Sequence, residues 1–586
     1  MMRDDDDASC AIARARDDDD DDDRAAFLPA SPFASSSSTH DNENAANARS
    51  RTPRDVNFGR AFAACAALCA LGGVVGAARS RGGADALDAL TSEALGRYES
   101  CHASDGTGTR RRRALLSSSS DDAFAARETP AAVAVSVGAI ALGVVALRVF
   151  QKHPRAATWG MIWMESAFGV VFGASLVANG GVVAGVILIA FSVFFACWML
   201  YTRDRVELVA KLLAAASTAL RDNPHLVTAS TFAGVGLCAS VVVVGLCAFF
   251  AAMNGSIVPY ADEDVVHRDG SCYWADDLTT PVDCCAWEMD AWVPPFLSFA
   301  SLVARWVALF FDQARNYVVG GTVSRWYFAP SGTVTFAGTT REFIGHAWHT
   351  SFGSLAFGAL VLAAVSVMRQ INERARRRSE GFMAVLACIV TSIMDCIGEI
   401  IEALTRFATI QCAISGDDLC TAGREVTRLL NDNFLSAVRV WWLPEMVLGL
   451  AAFFLALAYS TVATFVFGLT TSLERLGVDG YGQVVFLSAF ASSWIVLSFF
   501  SNILLSCVDA VFICYAIDKD RNMLTKPDIV AVYDEVTAKT RPVENLSTQT
   551  TTTTTTSSRP GDVGRVFTQP GATIVYGRPS GDNDNL

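Results

Sequence analysis

Between Phe58 and Tyr515 the chain carries ten separated apolar stretches, and one of them, Thr228 to Met253, holds no charged residue at all. A helix needs about 20 apolar residues to cover roughly 30 Å of hydrocarbon, and a water-soluble fold rarely needs uncharged helix of that length. The expected fold class is therefore an all-α polytopic membrane protein of about ten transmembrane helices with disordered N- and C-terminal tails. The expected spans are 58–78, 131–150, 159–179, 181–201, 226–251, 293–313, 350–369, 382–404, 440–468 and 484–515.

Composition agrees: of 586 residues, 52% are hydrophobic and only 18% charged, outside the range of ordinary soluble domains. The net charge of −13 comes largely from the runs Asp4 to Asp7 and Asp17 to Asp23, so it describes a head segment rather than an acidic surface. Three regions follow: an acidic, Ser-rich tail over 1–56, a membrane domain over 57–535, and a Thr-rich tail over 536–586. Neither tail has the apolar content to fold alone. The start lacks the basic region of a cleaved signal, so the first helix is expected to act as an uncleaved start-transfer segment, with both termini cytosolic. Lys152, Arg155, Arg203, Arg205, Lys211 and Arg221 then fall inside, as the positive-inside bias asks, while Arg110 to Arg113 and Arg374 to Arg378 fall on the wrong side.

Residues 254–290 form a polar loop with Cys272, Cys284 and Cys285 and the sequon Asn254-Gly255-Ser256. On an oxidising face two of those thiols are expected to pair and the sequon to be a glycan acceptor close to the membrane. No Gly-x-x-x-x-Gly-Lys-[Ser/Thr] loop is present, so nucleotide hydrolysis of the usual kind is not expected. His346 and His349 sit three apart with no carboxylate evident to complete a site, and an interfacial role beside Trp348 is the plainer reading. The protein is not expected to be an enzyme, and no cofactor is implied.

Charges inside apolar spans are the stronger pointers, since each is costly unless it faces protein or water. Asp509 interrupts the last span, Glu165 lies early in the third, Arg305 in the sixth, and Glu445 opens the ninth. Asp395, Glu399 and Glu402 share one helical stripe, with Arg406 a turn beyond Glu402; a solvated face or a cation route explains it. Trp306, Phe310, Phe311, Tyr317, Trp326, Tyr327 and Phe328 supply aromatic faces that serve either as interface anchors or as cation ligands. The candidate substrate-binding set is Trp306, Trp326, Tyr327, Glu399 and Asp509.

Four blocks carry a resemblance. Val319-Gly320-Gly321-Thr322-Val323-Ser324-Arg325-Trp326-Tyr327-Phe328, the run Trp348 to Gly358, Ala413 to Cys420, and Val508 to Asp518 resemble, in order, signature stretches of the choline transporter-like family over roughly residues 130–535. The resemblance implies ten helices, cytosolic termini, a plasma-membrane setting, and movement of choline or a related organic cation, driven by membrane potential or linked to protons. Asp509 and Glu399 are the candidate proton carriers. One departure stands out: where the family reads Asn-Ala-Tyr, this chain has Phe407-Ala408-Thr409, which bears on substrate choice. Expected partners are a small choline-like cation and the lipid bilayer, with no nucleic acid. The alternative reading is a membrane organiser that affects lipid or vesicle traffic without a soluble substrate.

Overall fold

The computed structural model describes residues 52–79, 119–259, 265–268, 271–274, 277–282, 285–329, 338–378, 382–433, 438–470, 481–521 and 525–531. The acidic head, the Arg110 to Arg113 loop, the Thr-rich tail and the side chains of Cys272, Cys284 and Cys285 lie outside the described residues.

The helices are α1 (Val56–Arg79), α2 (Ser119–Lys152), α3 (Pro154–Ala178), α4 (Val182–Tyr201), α5 (Arg203–Asp222), α6 (His225–Ala252), α7 (Val293–Tyr327), α8 (Thr339–His349), α9 (Phe352–Arg378), α10 (Phe382–Ser415), α11 (Leu419–Asn433), α12 (Val438–Thr470) and α13 (Tyr481–Asp520). Among the described residues nine of these are long and apolar enough to cross a membrane. Each of the ten expected spans falls on a helix, three of them (159–179, 181–201 and 350–369) overrunning it by one or two residues, but α10 is not among the nine found among the described residues; Asp395, Glu399, Glu402 and Arg406 interrupt its apolar run.

The large apolar side chains are distributed as a bilayer requires. On α4, Val183, Ile187, Phe191 and Phe194 point outward, and on α6 so do Phe232, Val235 and Val242. Helices satisfy their backbone groups internally, so such an apolar exterior is stable in lipid and would aggregate in water. The center is different: along α13 every residue from Ile503 to Asp518 is buried. α13 runs beside α7, with Ser506 bonded to Asn316 and Tyr327 to Asp518, so the two longest helices form a parallel axis.

One element departs from the sequence reading. Residues 203–222, expected as a loop, form α5, because Val206, Val209, Leu212, Leu213, Ala216 and Leu220 recur at helical spacing and are all buried. α5 packs against α13 in the largest core cluster, leaving Arg203 and Arg221 outward.

Between α6 and α7, β1 (Gly255–Pro259) pairs antiparallel with β5 (Cys285–Met289), and β2 (Val265–Arg268), β3 (Ser271–Trp274) and β4 (Asp277–Val282) form a three-stranded meander. Asn254, the sequon residue, is buried, and its amide nitrogen donates to the carbonyls of Gly76, Phe250 and Ala251. The atom a glycan would occupy thus ties the end of α1 to the end of α6.

The start of α1 is clasped as firmly. Asp55 holds a left-handed backbone (φ 51°), accepts a hydrogen bond from Ser354 Oγ at 2.6 Å and another from the Leu419 amide at 3.5 Å, while the Arg54 amide donates to Thr350 O. The chain can pass there because position 353 is glycine: a Cβ would collide with the carbonyl oxygens of Arg54 and Asp55. Gly353→Ala is therefore expected to cost about 1–3 kcal/mol, read as a lower unfolding midpoint in detergent. Gly358→Ala, whose Cβ would sit 3.3 Å from Leu419, should shift it less.

Candidate functional site

The interior of the bundle is not uniformly oily. Along the contact of α7, α10 and α13 runs a seam of polar side chains. Thr409 Oγ1 donates to Gln313 Oε1 at 2.5 Å, Ser506 Oγ donates to Asn316 Oδ1 at 2.8 Å, and Asn316 Nδ2 donates to Asp312 Oδ2 at 3.4 Å. Such groups are costly in hydrocarbon unless bonded to one another, and here most are.

At the seam's center lies Asp509, with 0% of its side chain exposed. Its Oδ2 pairs with Arg406 Nη1 at 3.4 Å, and its Oδ1 has no hydrogen-bond partner. Asp509, Glu445, Asp312 and Glu402 all act electrostatically on Arg406. Glu402 pairs with it at 3.7 Å and with Arg369 of α9 at 3.7 Å, and Arg369 reaches Asp395 at 4.0 Å. Asp312 pairs with Arg315 at 2.5 Å. The carboxylates are graded: Asp312 and Glu402 are partly open and Asp509 is sealed. The sequence reading named both Asp509 and Arg406 but did not pair them, because a pairing across 103 positions leaves no periodic signal. Asp312, Gln313, Asn316 and Ser506 were missed as members of the site for the same reason.

The second feature is a cavity of about 430 Å³ between α1, α6, α7 and the α8–α9 corner, lined by Phe62, Phe310, Phe311, Trp348 and Phe352, with Ser240, Cys69 and Cys247. That size lies in the range of small-molecule sites. The rings form a connected set: Phe62 to Phe310 is 4.9 Å, Phe310 to Trp348 5.6 Å, and Trp348 to Phe352 6.1 Å between centroids. Phe310 and Phe311 directly precede Asp312 and Gln313, so a single turn of α7 presents rings to the cavity and polar groups to the seam.

The five candidate binding residues do not converge. Trp306 is buried beside the cavity, its indole N–H donating to Ala356 O at 2.9 Å and its ring edge-on to Phe62. Trp326 and Tyr327 lie about 30 Å further along the same helix, at the opposite end. Tyr327 is buried and donates to Asp518. Glu399 is exposed on α10, although Asp395 and Glu402 of the same stripe are engaged by Arg369. Of the remaining charges, Glu165 is 3% exposed, Arg305 half-buried and Glu445 exposed. The histidine pair gains a carboxylate that was overlooked: His346 Nε2 is 3.6 Å from Glu342, which also pairs with Arg325, while His349 is exposed.

The four signature blocks meet in the fold. Gly320 lies against Ile410, and a Cβ on Gly321 would strike the Phe343 ring, so the glycine pair admits α10 and α8 to the surface of α7. Ser351 Oγ donates to Tyr317 at 2.9 Å. Thr409, at the departure from the family pattern, is a member of the polar seam, and Phe407 packs on Phe512. At the turn between α10 and α11, burial works against the Asp418 carboxylate, yet the Thr421 hydroxyl and amide, with Arg54 nearby, hold it below its usual range.

Helices with apolar exteriors around a charged interior define a multi-pass membrane protein. A family described as plasma-membrane choline transporter matches residues 186–520; the chain belongs to the choline transporter-like family. It is 28% identical over 236 residues to a CTL-like protein of Dictyostelium discoideum, covering 38% of this chain and 41% of that one. With choline transporter-like protein 5-A of Danio rerio the identity is 28%, covering 38% and 32%. With choline transporter-like protein 5 of Mus musculus it is 25%, covering 58% and 51%. The chain thus spans about half or less of the length of these relatives. The match from 186 takes in most of α4 and all of α5 to α13, and leaves α1, one wall of the cavity, outside.

Proposed function

We propose that the protein moves choline or a closely related organic cation across the plasma membrane, with both termini cytosolic. The observation that carries this reading is the one turn of α7 on which Phe310 and Phe311 face an aromatic cavity while Asp312 and Gln313 join the charged seam. A quaternary ammonium has no N–H to donate, so it is held by ring faces, each contributing about 0.5–2 kcal/mol according to desolvation, and by nearby negative charge. Loss of hydration is offset by rings first and by carboxylates second.

Membrane potential supplies about 2.3 kcal/mol per unit charge per 100 mV, enough for roughly 50-fold accumulation of a monovalent cation without ATP. The unpartnered Oδ1 of Asp509 is the place for a coupled proton in a proton-linked version. Proteoliposomes with an imposed potential are the test. Saturable choline uptake that rises about tenfold for each further 60 mV or so of inside-negative potential is expected. Flux independent of both protein and potential would leave only a lipid-organising role.

A further inference from the structure

At the end of α7 remote from the cavity, the chain beyond α13 folds back on the bundle. Thr525 is pinned there: its hydroxyl donates to Asp518 Oδ1 at 2.7 Å and its amide to Asp518 Oδ2 at 3.1 Å, an oxygen that also accepts from Tyr327. Ile529 is buried and Val530 packs against the main core. Held from both sides, Lys526 places its ammonium 3.9 Å from the centroid of the Trp326 ring. The indole N–H of Trp326 donates in turn to Asp222 Oδ2 at 3.0 Å, and Asp222 also lies 3.7 Å from Arg221.

We infer that Trp326 and Asp222 form a second binding site for a small organic cation, which the protein's own Lys526 ammonium occupies in this conformation as a tethered competitor. An ammonium over an indole face beside a carboxylate is the recognition chemistry of a quaternary ammonium. Among the described residues no hydrogen bond orients the Lys526 nitrogen; the ring and the field hold it, as they would hold a methylated nitrogen with nothing to donate. Burial pushes Lys526 below its usual range, with Asp222 opposing, so the charge is under strain there and open to displacement.

The identity of the natural ligand rests on the organic-cation reading above, whereas the site itself does not. Full-length protein in detergent, carrying Phe311→Ala to weaken the cavity, is titrated calorimetrically with tetramethylammonium. If Lys526 covers the ring nine-tenths of the time, Lys526→Ala tightens binding about tenfold, and Lys526→Arg leaves it unchanged. Adding Trp326→Leu to Lys526→Ala abolishes the gain; should that variant not fold, Asp222→Asn reduces the gain several-fold. Equal binding by wild type and Lys526→Ala overturns the inference, as does a gain that survives both second-site changes. The two readings fail separately: potential-driven uptake without a Lys526→Ala gain removes only this site, and a gain without uptake removes only the transport reading.

Discussion

Arg406→Leu is expected to destabilise the protein by about 3–5 kcal/mol, the largest effect of any single replacement outside the close-packed glycines. The change strands Asp509, which has no exposure and already lacks a partner at Oδ1, and it removes a cation on which Asp312, Glu402, Glu445 and Asp509 all act. A charge left alone in such a place costs more than the pair ever contributed. The double replacement Arg406→Leu with Asp509→Leu should therefore recover most of the loss, since apolar groups of similar volume often replace a buried pair with little penalty. Unfolding midpoints of the four proteins in detergent give the coupling directly; equal losses in the single and double variants would refute a buried pair. Transport separates structure from mechanism. A recovered double variant that still carries no cation places Asp509 on the path, whereas one that recovers both shows that the pair only holds α10 to α13.

The contrast between what the sequence discloses and what it hides has a physical origin. Spans are legible because hydrocarbon imposes a length and a composition on every crossing helix, and a run such as Val182 to Tyr201 can satisfy both only one way. Asp509 is legible for the same reason, as a charge where none belongs. Arg406 is harder to see, because on its own helix it reads as the continuation of a surface stripe with Glu402 and Glu399; only the approach of α13 brings Asp509 to Arg406, and only Arg369 of α9 helps to draw in Glu402 while Glu399 is left outside. Aromatic residues are the least legible. Trp306 and Trp326 are the same residue type on one helix, yet one braces α9 through Ala356 and the other lies under Lys526. Amphipathic α5 was hidden by its charges, which mark a loop to the eye while Val206, Val209 and Leu213 seal α13 beneath them.

Replacing the cavity rings should change transport without changing the fold. Trp348 is 46% exposed and Phe311 is braced against Gly236, where an added Cβ would come within 2.7 Å of the ring, so the two differ in how well they are preorganised. Loss of one ring face removes about 0.5–2 kcal/mol of cation binding, roughly a 2- to 30-fold rise in KM for choline. Phe311→Ala is expected near the upper end, since a ring held in place forfeits less entropy on binding; Trp348→Ala is expected near the lower. Phe311→Tyr keeps the face and should keep the KM. Ser240→Phe puts a further ring into a cavity of about 430 Å³ and should reduce flux by at least tenfold with an unchanged unfolding midpoint. Voltage dependence decides the meaning of these effects. The cation crosses the same field whatever rings it touches, so all four variants should keep the same increment of about 2.3 kcal/mol per 100 mV. Ring replacements that leave KM untouched, with Ser240→Phe still conducting, would move the binding site out of this cavity and detach the α7 turn from transport.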